Sequence, residues 1–262
     1  MNHRYDGHDR NVSSFRANWM GGILFHALLL FFLLAGTLVA PAVGPLTAQE
    51  PEGVPPEGRG FFMLGLHSVA ADDLNDQLLG AGYPAFSTSL FTIGGGGMGM
   101  LGAFLLGGEG HALIGADKST ADGALRTRLH GGYGMLNVGY DLFPDEARSL
   151  YPLLGVGAGS MAVRIDERTM PLFEDVLDEP RRGVEISRVS LLLMVGLGGD
   201  RMLEFPGAED APGGLAVGLR VGYVVALGQG SWSTGVGDVA GGPDLSPSGP
   251  YVRLQIGGRS RP

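Results

Sequence analysis

Residues Leu215–Gly228, LAVGLRVGYVVALG, decide how the chain is read. Leu215, Val217, Leu219, Val221, Tyr223, Val225 and Leu227 fall on one face of an extended strand, and Ala216, Gly218, Arg220, Gly222, Val224, Ala226 and Gly228 on the other. Strand side chains alternate faces, so this is an unbroken period of two. One face is uniformly large and apolar; the other is small, with an arginine at its centre. A soluble sheet usually sets an apolar core face against a polar solvent face. A membrane barrel does the reverse: its apolar face meets lipid, and small or polar groups fill the interior. A tilted membrane strand needs only about 9–11 residues, which this stretch supplies.

Working outward, the same alternation predicts seven further strands: Gly60–Val69, Phe86–Leu101, Phe104–Gly115, Leu125–Phe143, Leu150–Ile165, Ile186–Gly199 and Gly249–Gly257. Val189, Leu191, Leu193, Val195 and Leu197 share one face of the sixth. In the last, Val252, Leu254 and Ile256 oppose Tyr251, Arg253 and Gln255. Between the first two strands, Asp72 or Asp73 is placed to cap a short helix over Leu74, Leu78 and Leu79, stopped by Gly80, Gly82 and Pro84. Connections after odd-numbered strands are mostly long and polar; those after even-numbered strands are mostly shorter. That parity matches short periplasmic turns and long extracellular loops. Tyr140, Phe143 and Tyr151, with Phe205 in the next short-side connection, are expected to form an interfacial girdle.

The start of the chain has a different composition. Arg4, Arg10 and Arg16 precede an apolar run over Ile23–Ala40, followed by the small-residue tract Pro41–Ala48. A basic region, an apolar region and a cleavage tract together predict a signal peptide over 1–48, cut after Ala48. The competing reading is an uncleaved anchor, since the run approaches the roughly 18–20 residues that cross a bilayer. Residues 49–59, rich in proline and glutamate, read as a disordered lead-in, 60–257 as the barrel, and 258–262 as a tail.

Composition narrows the function. The chain has 262 residues, a formal net charge of −9 and 47 glycines. The acidic balance and the lack of a basic patch argue against a nucleic-acid partner. With no cysteine there is no thiolate chemistry and no lipoprotein acyl anchor. Small lumen-facing positions in a narrow barrel account for the glycine.

Signal sequence, eight alternating strands and loop parity together resemble the small eight-stranded outer-membrane β-barrels of Gram-negative-type bacteria. The resemblance is architectural and covers Gly60–Gly257. It implies an all-β, eight-stranded, antiparallel, up-and-down transmembrane β-barrel in the bacterial outer membrane. The implied partners are membrane lipids, including lipopolysaccharide, and the outer-membrane assembly machinery. Such chains commonly end on an aromatic residue. Here Leu254-Gln-Ile256 is followed by Gly-Gly-Arg-Ser-Arg-Pro262.

Three features bear on chemistry. Gly94-Gly-Gly-Gly-Met-Gly99 satisfies G-x-G-x-x-G, but the residues after it lack a helix start, so a glycine-lined strand is expected rather than a phosphate site. Asp166–Glu185 holds a cluster of acidic residues with no calcium-loop spacing. A solvated outer loop that bridges lipopolysaccharide through divalent ions is the expectation there. The third feature is the polar set Glu109, His111, Arg126, Arg128, His130 and Arg220. Glu109 and His111 share a face of the third strand, as Arg126, Arg128 and His130 do of the fourth. A His–Glu pair can serve a general base or a metal site. A closed eight-stranded interior, however, requires a satisfied polar network in any case. The expectation is therefore a lumen network, with no catalytic residue, metal or cofactor. The protein is expected to be a non-enzymatic barrel with a structural, adhesion or small-ligand-binding role, porin-like in architecture only. The alternatives are a lipid-modifying enzyme using His111 or His130, and a soluble periplasmic barrel or sandwich.

Overall fold

The computed structural model describes residues 58–143, 148–167, 174, 183–203 and 213–260. The proposed signal peptide over 1–48, most of the lead-in and most of the acidic 166–185 loop lie outside them. Eight long strands build the fold: β1 (Gly58–Ser68), β2 (Ser89–Leu101), β3 (Phe104–Ile114), β4 (Leu125–Tyr140), β5 (Arg148–Glu167), β6 (Gly183–Leu203), β7 (Gly213–Gln229) and β8 (Gly249–Ser260). Each pairs antiparallel with the next, and β8 pairs back onto β1, with Phe62 opposite Ile256 and Leu64 opposite Leu254. The sheet is closed, so no long strand presents an open edge, as a lipid environment demands.

Sequence chemistry places the turns. β2 and β3 are joined by Gly102–Ala103 alone, and Gly102 has φ +62°. That is a left-handed position at the start of a two-residue hairpin, which glycine adopts without steric cost. The β2–β3, β4–β5 and β6–β7 connections share one end with Gly58 and Ser260. By the short-turn rule this end is periplasmic.

The two faces follow the alternation. On β7, Leu219, Val221, Tyr223 and Val225 are exposed, while Ala216, Arg220 and Val224 are buried. Val252, Leu254 and Ile256 on β8, Leu136 and Val138 on β4, and Val189, Leu191, Val195 and Leu197 on β6 continue the outer apolar belt. Water would not tolerate so wide an exposed apolar band; lipid does. The barrel is thus an outer-membrane architecture, with an inner wall that is polar at two levels. β5 and β6 run for 20 and 21 residues, well beyond what a bilayer needs, so they project past it at the long-loop end.

That end is plugged. The helix α1 (Asp72–Gly80) buries Leu74 and Leu78, which pack in one cluster with Val69, Phe86, Leu113, Leu129, Trp232 and Leu245. Asn75 ties the helix to Phe86 through a donated bond from Nδ2 to the Phe86 carbonyl (3.1 Å) and one accepted from the Phe86 N–H (2.8 Å). The long connection after β7 also folds inward. It forms a small hairpin, Trp232–Thr234 against Gly237–Val239, and a bridge from Ser246 to Ala70.

Several expectations need correction. The helix N-cap is Ala71, and neither Asp72 nor Asp73 makes a capping bond. Both sit in the first turn, where their charge favours the helix dipole instead. Leu79 is exposed. Strand β1 begins at Gly58, so Arg59 is wall and not lead-in; β8 runs to Ser260, so 258–260 is strand and not tail. Tyr151 is fully buried in the lumen and leaves the girdle to Tyr140 and Phe143. Phe104, edge-on to Tyr140 at 5.3 Å, joins them; Phe205 lies outside the described residues.

Candidate functional site

Alternation turns Leu105, Glu109, His111 and Leu113 of β3 inward. Across the lumen, Arg220 of β7 and Arg253 of β8 are register partners on the inner face. Two like charges set directly opposite each other repel. Glu109 resolves this from the far wall. Its Oε2 accepts from Arg220 Nη1 at 2.5 Å and its Oε1 from Arg253 Nη1 at 3.1 Å. His111 Nε2 lies 3.2 Å from Glu109 Oε1, while its Nδ1 has no partner among the described residues. Arg253 Nη1, which can only donate, also lies 3.1 Å from His111 Nε2, so this nitrogen sits between a donor and an acceptor. The side chains of this cluster are no more than 1% exposed. Aromatic faces complete the surroundings: Arg220 lies 4.3 Å from the Phe61 ring centre and Arg253 3.7 Å from that of Tyr251.

A directional chain leaves the cluster towards the plug. Arg253 Nη2 donates to the Tyr133 hydroxyl. That hydroxyl donates to His67 Nδ1 at 3.2 Å, and His67 Nε2 donates to the Pro247 carbonyl at 2.8 Å. Each donor meets one acceptor, so the central charge cluster is tied to the loop that closes the mouth.

A second polar level lies nearer the periplasm. Arg59 donates from Nη1 to Ser149 Oγ and Asp200 Oδ2, both at 3.0 Å, and from Nη2 to Asp141 Oδ2 at 3.1 Å. Ser149 also donates to Asp141, and Arg259 lies 4.0 Å from Asp200.

The glycine motif serves this packing. Gly94 and Gly96 face the lumen opposite His111 and Glu109 in the β2–β3 register. A Cβ on Gly94 would come within 2.3 Å of His111 Nδ1, and one on Gly96 within 2.8 Å of Glu109 Cα. Gly94–Gly99 is continuous strand, and no helix start adjoins it.

The structure divides the predicted polar set. Glu109, His111 and Arg220 meet in the lumen. Arg126, Arg128 and His130 do not; they point outward, while Thr127 and Leu129 turn in. The three do share a face, but the phase is opposite to the expected one. At this height β4 has risen out of the lipid, so its outer face meets water and its inner face packs on the plug. Asp117 pairs with Arg126 and accepts from Arg128 at 2.6 Å and 3.1 Å. The Arg128 hydrogen bond, followed by that of Arg126, holds the Asp117 carboxyl at about 2. Arg164 donates to Asp166 at 2.8 Å, and His130 and Arg164 each approach Glu185 at 3.9 Å. Exposed pairs of this kind contribute little to stability.

Sequence reasoning missed Arg253, Arg59, His67, Tyr133, Asp141 and Asp200 as members of the network. The inward phase of β8 was a usable signal for Arg253, since it flanks Tyr251 and Gln255. Arg59 was hidden by the proline- and glutamate-rich composition before it. Chemically, the cluster can hold a charge balance and a fixed geometry. The His–Glu pair has the spacing of an oriented base, but among the described residues no serine hydroxyl bonds to His111, and no group of three or more metal-ligating side chains is found.

No protein-family model matches the sequence, and neither does any curated protein. Among solved structures the chain is similar to Ail, the attachment invasion locus protein of Yersinia pestis. The identity is 11%, over 78% of this chain and 95% of that one, with a TM-score of 0.38. It is also similar to Neisserial surface protein A, at 12% identity over 79% and 96% of the two chains (TM-score 0.36). The outer-membrane protease OmpT of Escherichia coli matches at 9% identity over 79% and 97% (TM-score 0.31). These are distant likenesses, and the architecture stands on the strand pairing and the two faces of the wall.

Proposed function

We propose that this outer-membrane barrel works without catalysing a reaction, as a structural or binding element of the cell surface. The observation that supports this reading is the sealing of its most reactive-looking group. Glu109 and His111 have side chains with no exposure, and Glu109 is held between two arginines. A general base must reach the proton that it abstracts. Here the outer wall blocks approach from the lipid, and the plug of α1, Trp232 and Leu245 blocks the mouth. What remains accessible is the outward charge cluster of Asp117, Arg126, Arg128, Arg164 and Glu185 at the long-loop end. Its mixed charge suits contacts with lipopolysaccharide headgroups and their divalent ions, or with a ligand or host surface. Insertion of such a barrel would require the outer-membrane assembly machinery.

The test uses cells that carry the unmodified gene, His111→Ala or Glu109→Gln, with heat-modifiable gel mobility to show that each barrel is folded. Lipid A and phospholipid profiles should be identical in all three strains. A lipid product missing only from a folded variant would establish the enzymatic alternative and end this reading.

A further inference from the structure

At the periplasmic end of the outer wall, Arg148 of β5 and Arg201 of β6 are direct register partners. Both are exposed, and neither side chain makes a hydrogen bond or ion pair with a described residue. Like charges directly opposed across a strand pair are destabilising unless something neutralises them. Inside the wall the same problem, between Arg220 and Arg253, is solved by Glu109. Outside, the protein offers no such carboxylate among its described residues.

Beside Arg148 and Arg201 the wall is hollowed. A cavity of about 560 Å³ is lined by both of them with Phe143, Leu150, Gly199 and Val217, and by Ser149 and Asp200, whose side chains turn inward to Arg59. Gly199 is the register partner of Leu150 and, lacking a side chain, forms part of the floor. Towards the membrane centre the outward row continues with Leu219 and Leu254, both exposed and apolar. The girdle residues Tyr140, Phe104 and Phe143 lie at the same end and mark the headgroup level. The site thus has a doubly cationic rim at the interface and an apolar outer face leading into the hydrocarbon.

We infer that Arg148 and Arg201 together bind the phosphate of an anionic phospholipid of the inner leaflet, with an acyl chain laid over Leu150, Gly199 and Leu219. Guanidinium groups suit phosphate oxygens in geometry and charge. The chemistry shared with free phosphate is the oxyanion; the apolar outer face beside it is what selects the lipid. This inference rests only on the membrane placement of the barrel and not on what its outer end does.

The mature full-length barrel, purified in a maltoside detergent, would be mixed with phosphatidylglycerol and read by native mass spectrometry. The unmodified protein should retain one phosphatidylglycerol, and excess inorganic phosphate should not displace it. The double variant Arg148→Gln with Arg201→Gln should retain it at least about tenfold less well, the equivalent of one factor of ten in affinity. Gly199→Val keeps both charges but fills the floor, and its Cβ would meet only ordinary contacts at 3.5 Å; it should weaken retention as well. Heat-modifiable mobility should be unchanged in both variants, since the substituted positions face outward. Equal retention by the double variant, or no retention by the unmodified protein, would overturn the site. Displacement by inorganic phosphate would overturn the lipid assignment in favour of a free anion.

Discussion

Glu109 is the residue on which the interior turns. It is the counter-ion that lets Arg220 and Arg253 face each other in a closed lumen. Removing one partner of a buried pair leaves the other charge stranded, at about 3–5 kcal/mol. Glu109→Ala should therefore lower stability by about that amount in urea titrations of the refolded barrel. Adding Arg253→Met should recover part of the loss, because fewer lone charges remain. Adding Arg126→Ala should give no recovery, with effects additive to within about 0.5 kcal/mol, because Arg126 lies on the outside. Recovery with Arg126 would contradict the placement of that residue. At this scale the sequence was only partly legible. Arg220 announced itself as the one large polar group on a small-residue face. Its partners did not, because Arg253 lies 144 residues from Glu109 in the chain and only ring closure brings them together.

At the scale of the element, β7 was the clearest, because lipid on one side and a narrow lumen on the other impose opposite demands on alternate residues. Val221, exposed at mid-strand, should not accept charge: Val221→Arg is expected to cost about 2–4 kcal/mol in the same titrations. Ala216→Ser, on the inner face, should be nearly neutral. Equal tolerance of both would mean that the faces are misassigned. Strand β4 marks where the rule fails. Its lower half obeys the lipid rule, with Leu136, Val138 and Tyr140 outward. Its upper half carries Arg126, Arg128 and His130 outward, because water has replaced lipid there. A period of two identifies the faces of a strand but does not say which solvent each face meets. The ends of β1 and β8 failed differently: their glycines and arginines look like linker until the pairing of Arg59 with Arg259 makes them wall.

At the scale of the whole molecule, the strand count, the parity of the connections and the closure were all readable from the sequence. The plug was not. Helix α1 was visible, but the inward fold of Trp232 and Leu245 depends on an apolar cluster assembled from segments far apart in the chain. The central claim is that a closed barrel crosses the membrane with its large apolar face in lipid and with Arg220 and Arg253 sealed within. The chain has no cysteine, so single cysteines can be introduced without background. The most direct measurement is spin-label accessibility along residues 215–227 of the barrel in phospholipid bilayers, using oxygen as the lipid-soluble probe and a nickel chelate as the water-soluble one. The account predicts alternation: high oxygen and low nickel exposure at 217, 219, 221, 223 and 225, and low exposure to both at 216 and 224. Low oxygen exposure at the first set, as in an enclosed soluble core, would contradict it.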